Sequence, residues 1–191
     1  MCCRYRILPA GADDDRIAAV MAMMEKKYPG QYKTGEIFPG DPAPAVFADR
    51  GRVQPVPAVF GFPGFQANRL ILNARSETAA QKPTFALPLR EQRIILPADG
   101  FFEWSHDGKK TKYFFTLNEP GTVYFCGLYR IVDGRFRFVI LTRPADESMA
   151  GVHDRMPVII GADSVRSYLT DAAAATQLLA APAPQLRHEP A

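Results

Sequence analysis

Cysteine and histidine are both scarce in this chain, which contains three residues of each type. The cysteines are odd in number and follow no spacing typical of a disulfide framework, which argues against a secreted disulfide-bonded protein. The cysteines and histidines form neither a CxxC nor an HxxxH pattern, so the sequence predicts no metal site. We therefore expect free thiols, no metal and no cofactor, in a reducing cytoplasm.

Long apolar runs and the motifs of the common nucleotide-binding and hydrolytic enzymes are also missing. No stretch is apolar enough to predict a membrane span, and the start of the chain lacks the apolar run of a signal peptide. GxGxxG, the P-loop, GxSxG and HExxH are all absent. These absences exclude the function classes that the motifs indicate and favour a cytoplasmic protein with no membrane partner.

The composition is typical of a globular protein with a mild basic excess. Of the 191 residues, 47% are hydrophobic and 23% are charged, and the formal net charge is +3. The basic residues are 16 arginines and 7 lysines. Arginine binds phosphate through a planar fork and stacks on flat rings, but GC-rich coding also enriches arginine. Composition alone therefore leaves nucleic-acid binding open.

The hydrophobic pattern predicts one early helix followed by many short strands. Residues 13–28 carry apolar side chains at helical spacing, and Pro29-Gly30 ends the segment. Asp107-Gly108 and Asp133-Gly134 predict tight hairpins. Strands are predicted at residues 44–49, 53–60, 69–73, 93–97, 100–104, 111–117, 122–131, 135–142 and 157–160.

These elements predict an α+β fold. We expect a single domain over residues 1–191, built on a mostly antiparallel, barrel-like sheet with a few peripheral helices. Two of these helices are expected after Asp163 and at residues 171–180, and the Pro-rich tail at 181–191 is expected to fray.

The chain begins MCCRY, so removal of Met1 would make Cys2 the amino-terminal residue. Its α-amine, with a pKa near about 7.7–8.0, and its thiol, near about 8.5, would both be partly nucleophilic at neutral pH. An aldehyde is captured by such a pair when a Schiff base forms and the thiolate then closes a thiazolidine ring. Cys3 lacks the free amine and cannot do this. Taken alone, however, the stretch favours accidental thiols at a loose terminus.

Three further polar residues offer groups that such chemistry needs. The carbonyl oxygen of Asn73 can hold an amine, and Glu103, which lies among aromatic residues, can act as an acid or base near neutral pH. His153 lies just before a strand and is the histidine best suited to proton transfer. Each also has a structural interpretation: a solvated strand end, an outward-facing glutamate and a hydrogen-bonded polar turn.

Aromatic and basic residues in the same stretches are candidates for nucleic-acid contact. Trp104 is either a core residue or a stacking face for a base, and Arg75 and Arg155 can bind phosphate. Three other residues are discounted: His106 in a hairpin turn, His188 in the tail and Cys126 in a strand core, where an inert thiol is expected.

Four motifs occur together in the order MC-x-R-Y, NAR-x-E-T, PA-D-GF-x-EW and T-x-PA-x-ES-M-AG-x-HDRMPV. Together they resemble the SRAP family (SOS-response-associated peptidase domain). The resemblance implies a compact α+β domain around a barrel-like sheet and a role in the DNA damage response. Members shield abasic sites in single-stranded DNA through a covalent protein–DNA link.

The resemblance also implies catalytic roles. Cys2 would form the thiazolidine with the ring-opened sugar aldehyde, and Asn73 would position the terminal amine. Glu103 would act as the acid–base residue, and His153 would assist proton transfer, including reversal of the link. The family name records a thiol peptidase activity, seen most simply as autocatalytic removal of Met1.

DNA contacts are implied in the same way. Arg4, Arg75 and Arg155 match positions that contact phosphates, and the implied stacking residues are Trp104 and Phe60. Phe60 is aligned with a tryptophan of many members, and Cys3 with a glycine. The expected partner is single-stranded DNA that contains abasic sites, bound by a monomer that associates with the nucleoid.

Three hypotheses follow from these residues. The leading one is a covalent abasic-site sensor that acts through Cys2, with lyase-like chemistry. A second is a peptidase or amidase with an amino-terminal cysteine nucleophile, which needs no DNA. A third is a non-covalent binder of single-stranded or modified DNA, favoured by the arginine excess and the aromatic residues.

Overall fold

The computed structural model describes residues 3–8, 15–66 and 69–191, with the backbone alone for residues 15 and 16. The strands are β1 Arg4–Ile7, β2 Gly35–Ile37, β3 Pro42–Asp49, β4 Arg52–Phe60, β5 Phe62–Pro63, β6 Leu70–Ile71, β7 Asn73–Arg75, β8 Arg93–Ala98, β9 Gly100–Trp104, β10 Lys112–Leu117, β11 Val123–Val132, β12 Arg135–Pro144, β13 Arg155–Pro157, β14 Ile159–Ile160 and β15 Leu186–Pro190. The α-helices are α1 Asp15–Lys27, α2 Ser76–Ala79, α3 Pro83–Glu91, α4 Val165–Thr170 and α5 Ala172–Ala180.

Within the described residues, five strands close into a barrel in the order β12-β4-β3-β8-β11, because β11 also pairs with β12. Every pairing in this ring is antiparallel except that of β12 with β4, where Phe138 lies beside Phe60. The short strand β7 adds to β12 in parallel, with Asn73 beside Ile140. Full closure satisfies the backbone of the ring strands and leaves no edge in the ring.

A second sheet has the order β15-β10-β9-β1-β2. In it β1 lies next to β9, with Arg4 opposite Phe102 and Arg6 opposite Gly100. A Cβ atom at Gly100 would lie 2.3 Å from the carbonyl oxygen of Phe115. Only glycine fits there, so Gly100, the glycine of the motif PADGF, allows β10 to lie close beside β9.

Aromatic rings fill the core where this sheet faces the barrel. The ring of Tyr5 meets those of Phe60, Phe125 and Phe138 edge-on, at centroid distances of 6.0, 5.6 and 6.5 Å. Side chains alternate along β11, so Phe125 joins this cluster, whereas Cys126 joins a second cluster that includes Tyr168. Burial on both faces explains why the barrel strands are almost continuously apolar.

The α+β prediction is confirmed, and α1 and most of the predicted strands form, some with shifted ends. The strands predicted at 69–73 and 157–160 are each divided into two short strands. The sequence pattern missed β1, β2, β5, α2 and α3, the last because Pro88 lies inside that helix. The prediction that the tail at 181–191 frays is wrong. Residues 186–190 form β15 against β10, and the buried side chain of Leu186 anchors this strand. Among the described residues, no helix is long and apolar enough to cross a membrane.

Candidate active site

Cys3, at the start of β1, borders a cleft of about 390 Å³ that is also lined by Asn73 and by residues 70–72. The Cys3 thiol is free and half-buried. Cys2, the predicted nucleophile, lies outside the described residues. The structure therefore defines the surroundings of the residue that follows Cys2 directly in the chain.

Asn73 presents an acceptor with spare capacity to this region. Its backbone is held by pairing with β12, while its Oδ1 atom is buried and has no hydrogen-bond partner among the described residues. Leaving a buried amide oxygen unsatisfied costs about 1–3 kcal/mol, so such atoms in native proteins call for an explanation. An incoming N–H donor, such as a terminal amine, is one.

Glu103 supplies a buried carboxyl group at the same place. Its residue is only 4% exposed, and Oε1 accepts a hydrogen bond from the backbone N–H of Trp104 at 3.3 Å. Burial, followed by the negative charge of Glu103, raises the pKa of the Cys3 thiol above its ordinary value. Cys3 is therefore held mainly as the neutral thiol, and the Glu103 carboxylate lies close enough for its charge to act on that thiol.

His153 faces Glu103 from the loop before β13, where it is 6% exposed. Its Nδ1 accepts a hydrogen bond from the backbone N–H of Arg155 at 2.9 Å and lies 2.8 Å from Asp154 Oδ1. The first contact fits the neutral ring and the second fits the protonated ring. Burial is the largest cause of the lowered pKa of His153, and the carboxylate charges of Glu103 and, to a smaller extent, the exposed Asp154 oppose it without offsetting it.

Backbone hydrogen bonds fix the loop that carries His153. The N–H of Ala145 donates to the carbonyl of Asp154 at 3.0 Å, which closes the loop at its base. The N–H of His153 donates to the carbonyl of Met149 at 3.1 Å. The Asp146 carboxylate accepts hydrogen bonds from the backbone and the hydroxyl of Ser148. The position of the imidazole is therefore set by a rigid loop.

His106, which the sequence analysis discounted, lies directly against His153, with the two ring centroids 4.1 Å apart. His106, His153 and Asp154 each offer one atom that could bind a metal ion, and these three atoms lie within 4.8 Å of one another. The His153 nitrogen that faces Asp154 already accepts the N–H of Arg155. That nitrogen is therefore not available to a metal ion while it accepts this hydrogen bond.

Arg4 and Trp104 form a cation–aromatic group beside the site. The Arg4 guanidinium carbon lies 5.0 Å from the ring centroid of Trp104 and 4.3 Å from that of Phe38, and Arg4 also pairs with Glu36 at 3.7 Å. Arg75 is exposed at the end of β7. These positions suit contact with a polyanion, because a cation next to an aromatic face can take both a phosphate and a base.

Arg155 is engaged inside the protein. Its guanidinium forms a two-point ion pair with Glu77 and donates to Thr142 Oγ1 at 3.2 Å. The hydrogen bonds from Arg155 are the main reason that the pKa of Glu77 falls to about 2. The Arg155 side chain is only 11% exposed. The ion pair ties β13 to the start of α2, so a phosphate contact by Arg155 would have to compete with Glu77.

The predicted stacking of Phe60 on a DNA base is wrong. Its ring is fully buried and lies parallel to that of Phe138, with centroids 4.9 Å apart, so it cannot stack on a base in this structure. Phe65, in the turn between β5 and β6, is instead 94% exposed. Its signal in the sequence was an aromatic residue within a turn-like stretch, PGFQ.

Comparison with known proteins identifies relatives. The chain is 38% identical over 106 residues to the abasic site processing protein YobE of Bacillus subtilis, which covers 52% of this chain and 48% of YobE. It is 31% identical over 119 residues to the abasic site processing protein YedK of Escherichia coli, covering 59% of this chain and 54% of YedK. The matches thus span about half the length of these curated relatives.

A solved structure of a protein from Bordetella bronchiseptica has the same fold, with a TM-score of 0.75 at 23% identity over 100% of this chain and 99% of that one. The family model described as SOS response associated peptidase matches residues 1–190. Because this match covers nearly the whole chain, the protein belongs to the SOS response associated peptidase (SRAP) family.

Proposed function

We propose that the protein captures abasic sites in single-stranded DNA by a covalent thiazolidine link to Cys2 after removal of Met1. The observation that carries the proposal is a chain of contacts that starts at Cys3, the residue bonded to Cys2: Asn73 lines the same cleft, the charge of Glu103 acts on the Cys3 thiol, and His153 interacts with Glu103. The names of the relatives YobE and YedK, which are abasic site processing proteins, support the same substrate.

The chemistry joins one aldehyde and one aminothiol and releases one water. An abasic sugar opens to expose its C1′ aldehyde, and the α-amine of Cys2 adds to that carbon to give a carbinolamine. Loss of water gives the Schiff base. The Cys2 sulfur then adds to the same carbon, and the thiol proton ends on the ring nitrogen. No oxidant or other reactant is required, and each step is a proton-coupled addition or elimination.

The site residues divide the proton transfers between them. Asn73 Oδ1 accepts a hydrogen bond from the terminal amine and orients its lone pair toward the aldehyde. Glu103 protonates the sugar ring oxygen as it opens and the hydroxyl that leaves as water. His153 accepts the thiol proton and passes it to the ring nitrogen, and it carries the proton back from nitrogen to sulfur when the link reverses, which suits a ring whose pKa burial lowers.

Recognition of the strand is assigned to cationic and aromatic side chains that are exposed or half-buried. Arg4 and Arg75 contact phosphates, while Trp104 and Phe65 offer faces for the neighbouring bases. Such contacts read little sequence, because every phosphate and every base face is similar. Arg155 contributes mainly through its ion pair with Glu77, which holds the wall of the site in place.

We assign the peptidase activity to cleavage of the protein's own Met1–Cys2 peptide bond. Hydrolysis of the Met1–Cys2 bond must precede capture, since an acylated amine cannot form a Schiff base. The groups that move protons during capture can also activate water at this bond. A general peptidase or amidase would instead turn over external substrates, and a non-covalent binder would need neither Cys2 nor an aldehyde.

A denaturing gel tests the proposal. The protein is mixed with single-stranded DNA that carries one natural abasic site, with intact DNA, and with DNA that carries a tetrahydrofuran analogue without an aldehyde. We expect a heat-stable shifted band with the natural abasic site only. Intact mass of the same preparation verifies that Met1 is absent.

Two variants sharpen this test. Cys2→Ala should abolish the band, whereas Cys3→Ala, which removes the neighbouring thiol, should retain it. A band that survives Cys2→Ala, or no band from protein that lacks Met1, would contradict covalent capture. Turnover of a peptide library without DNA would then support the peptidase, and undiminished DNA retention by Cys2→Ala would support the non-covalent binder.

A further inference from the structure

We propose that His106 is a positioning residue for His153. The His106 ring packs against the buried imidazole of His153, keeps that imidazole in its neutral form and connects it to solvent. The inference rests on the proposed function, because it names a partner of the same proton-transfer residue. No motif of the family resemblance includes His106, and its role follows from the geometry of two loops.

The two rings are close enough to influence one another directly. Their centroids lie 4.1 Å apart and their planes are inclined by 54°. His153 is 6% exposed, whereas His106 is exposed. A buried imidazole that must gain and lose protons needs a path to water, and the exposed ring of His106 covers it on the solvent side.

Hydrogen bonds hold His106 in this position. Ser105 Oγ donates to the Asp107 carboxylate at 2.6 Å and accepts from the N–H of Thr111 at 3.0 Å, which orders the β9–β10 hairpin loop. The backbone N–H of His106 donates to the carbonyl of Val152 at 3.3 Å. The hairpin loop is thus joined to the His153 loop by a hydrogen bond from His106 itself to Val152, the residue before His153.

Charges around His153 act in both directions. The carboxylates of Glu103 and Asp154 favour the protonated ring, while burial, the positive charge of the amino terminus and, to a smaller extent, a protonated His106 disfavour it. Burial is the largest of these causes and lowers the pKa of His153. When His106 carries a proton, repulsion across this short distance favours neutral His153, the form that accepts the thiol proton. His106 therefore protects the active form of His153 as the pH falls.

The test combines a direct titration with a rate profile. The chain has three histidines, so their ring proton resonances can be assigned with single variants and followed by NMR between pH 5 and pH 8. In His106→Gln we expect the titration of His153 to move to higher pH by about 0.5–1 unit, the effect of a unit charge about 4 Å away in water. His188→Gln, which removes an exposed histidine that packs on Tyr113 and Phe115 instead, should leave it in place.

Crosslinking rates should follow the same order. Below the titration of His153, His106→Gln should crosslink about 3–10-fold more slowly than the parent protein, while the two should agree at pH 8. His106→Lys, which keeps a positive charge, should retain the parent profile or move it to lower pH. These differences should persist in the presence of a metal chelator.

The outcomes separate the two proposals. If the parent protein crosslinks but His106→Gln leaves both the His153 titration and the rate profile unchanged, the role of His106 is overturned. The same follows if chelation removes the difference between parent and variant, since a bound metal would then explain it. If the parent protein never crosslinks, the proposed function fails, and the titration still decides whether the two rings are coupled.

Discussion

Two groups of buried polar side chains in this protein are built in opposite ways. On the far side of the barrel, Arg93 donates to the backbone carbonyls of Tyr168 at 2.6 Å and Leu89 at 3.1 Å, and the Tyr168 hydroxyl donates to the Gly127 carbonyl at 2.9 Å. Beside β1, the Asn73 Oδ1 atom is buried with no partner among the described residues. The first group is saturated by the fold, whereas the second keeps capacity for a further ligand.

The cysteines of the two regions differ in the same sense. Cys126 is fully buried next to Tyr168, and burial raises its pKa far above the ordinary thiol value, so it is inert. Cys3 is half-buried at a cleft and senses the charge of Glu103. A saturated polar network stabilises a fold, while an unsatisfied one at a cleft indicates chemistry. Variants should therefore separate stability from activity.

The largest effect is expected from Glu103→Gln. The amide keeps the size of the side chain and an oxygen that can accept the N–H of Trp104, but it cannot exchange a proton. The rate of crosslinking to abasic DNA should fall by about 10²–10⁴-fold with little change in thermal stability. Single-turnover gels give the rate and calorimetry the stability; an unchanged rate would remove Glu103 from the mechanism.

Asn73→Leu should have the next largest effect. It removes the buried acceptor that we assign to the terminal amine, and a hydrogen bond to a charged or polarised group is worth about 1.5–3 kcal/mol, or about 10–100-fold in rate. Asn73→Asp, which keeps an oxygen at that position, serves as the matched variant and should retain more of the rate. Equal loss in both variants would argue for a purely structural role.

Tyr168→Phe probes the saturated network. The change removes the buried hydroxyl that donates to the Gly127 carbonyl, which should lower the free energy of unfolding by about 1–2 kcal/mol. The crosslinking rate of the folded variant should equal that of the parent. Denaturant unfolding measures the first quantity; a rate defect without a stability defect would overturn the contrast between the two regions.

Glu77→Gln should have the smallest effect, and that effect depends on pH. The pKa of Glu77 is lowered from 4.5 to about 2 by Arg155, so the pair stabilises the fold above about pH 4.5 and this stabilisation is lost as the pH falls toward 2. Because the Glu77 side chain is 42% exposed, the loss at neutral pH should be below about 1 kcal/mol. Melting temperatures of parent and variant should converge in acid.

Glu91→Gln is the matched control for this last prediction. Glu91 pairs with Arg90 on the exposed surface of α3, where both side chains are more than half exposed. Its replacement should leave the dependence of stability on pH almost unchanged. Equal behaviour of the two variants would show that the Arg155–Glu77 pair adds nothing beyond an ordinary surface ion pair.

Local patterns predicted most of the strands because hairpin turns and apolar stretches are short-range signals. Barrel closure depends on the parallel contact of Phe138 with Phe60, which joins distant segments and leaves no local signature. The same contact buries Phe60 and rules out its predicted stacking role. The strand at residues 186–190 was missed because it forms by pairing with the edge of β10, and a Pro-rich sequence does not indicate that pairing.

The sequence predicted the kinds of chemical group in the candidate site but not all of its residues. Asn73, Glu103 and His153 came from residue type and from the family resemblance; in the structure Asn73 lines the cleft beside Cys3, and Glu103 interacts with both Cys3 and His153. His106 was discounted because a hairpin loop appears solvent-exposed in sequence, and only the fold brings that loop to His153. Side-chain pairing between loops is a tertiary property that no local pattern encodes.

Peptide mapping of the protein–DNA product is the most direct test of covalent capture by Cys2. The parent protein is reacted with abasic single-stranded DNA without borohydride, digested and analysed by mass spectrometry. The account predicts an amino-terminal peptide that begins at Cys2 and carries the sugar fragment with the loss of one water. A link on a lysine, a link that requires reduction to persist, or an unmodified Cys2 peptide from the shifted band would contradict it.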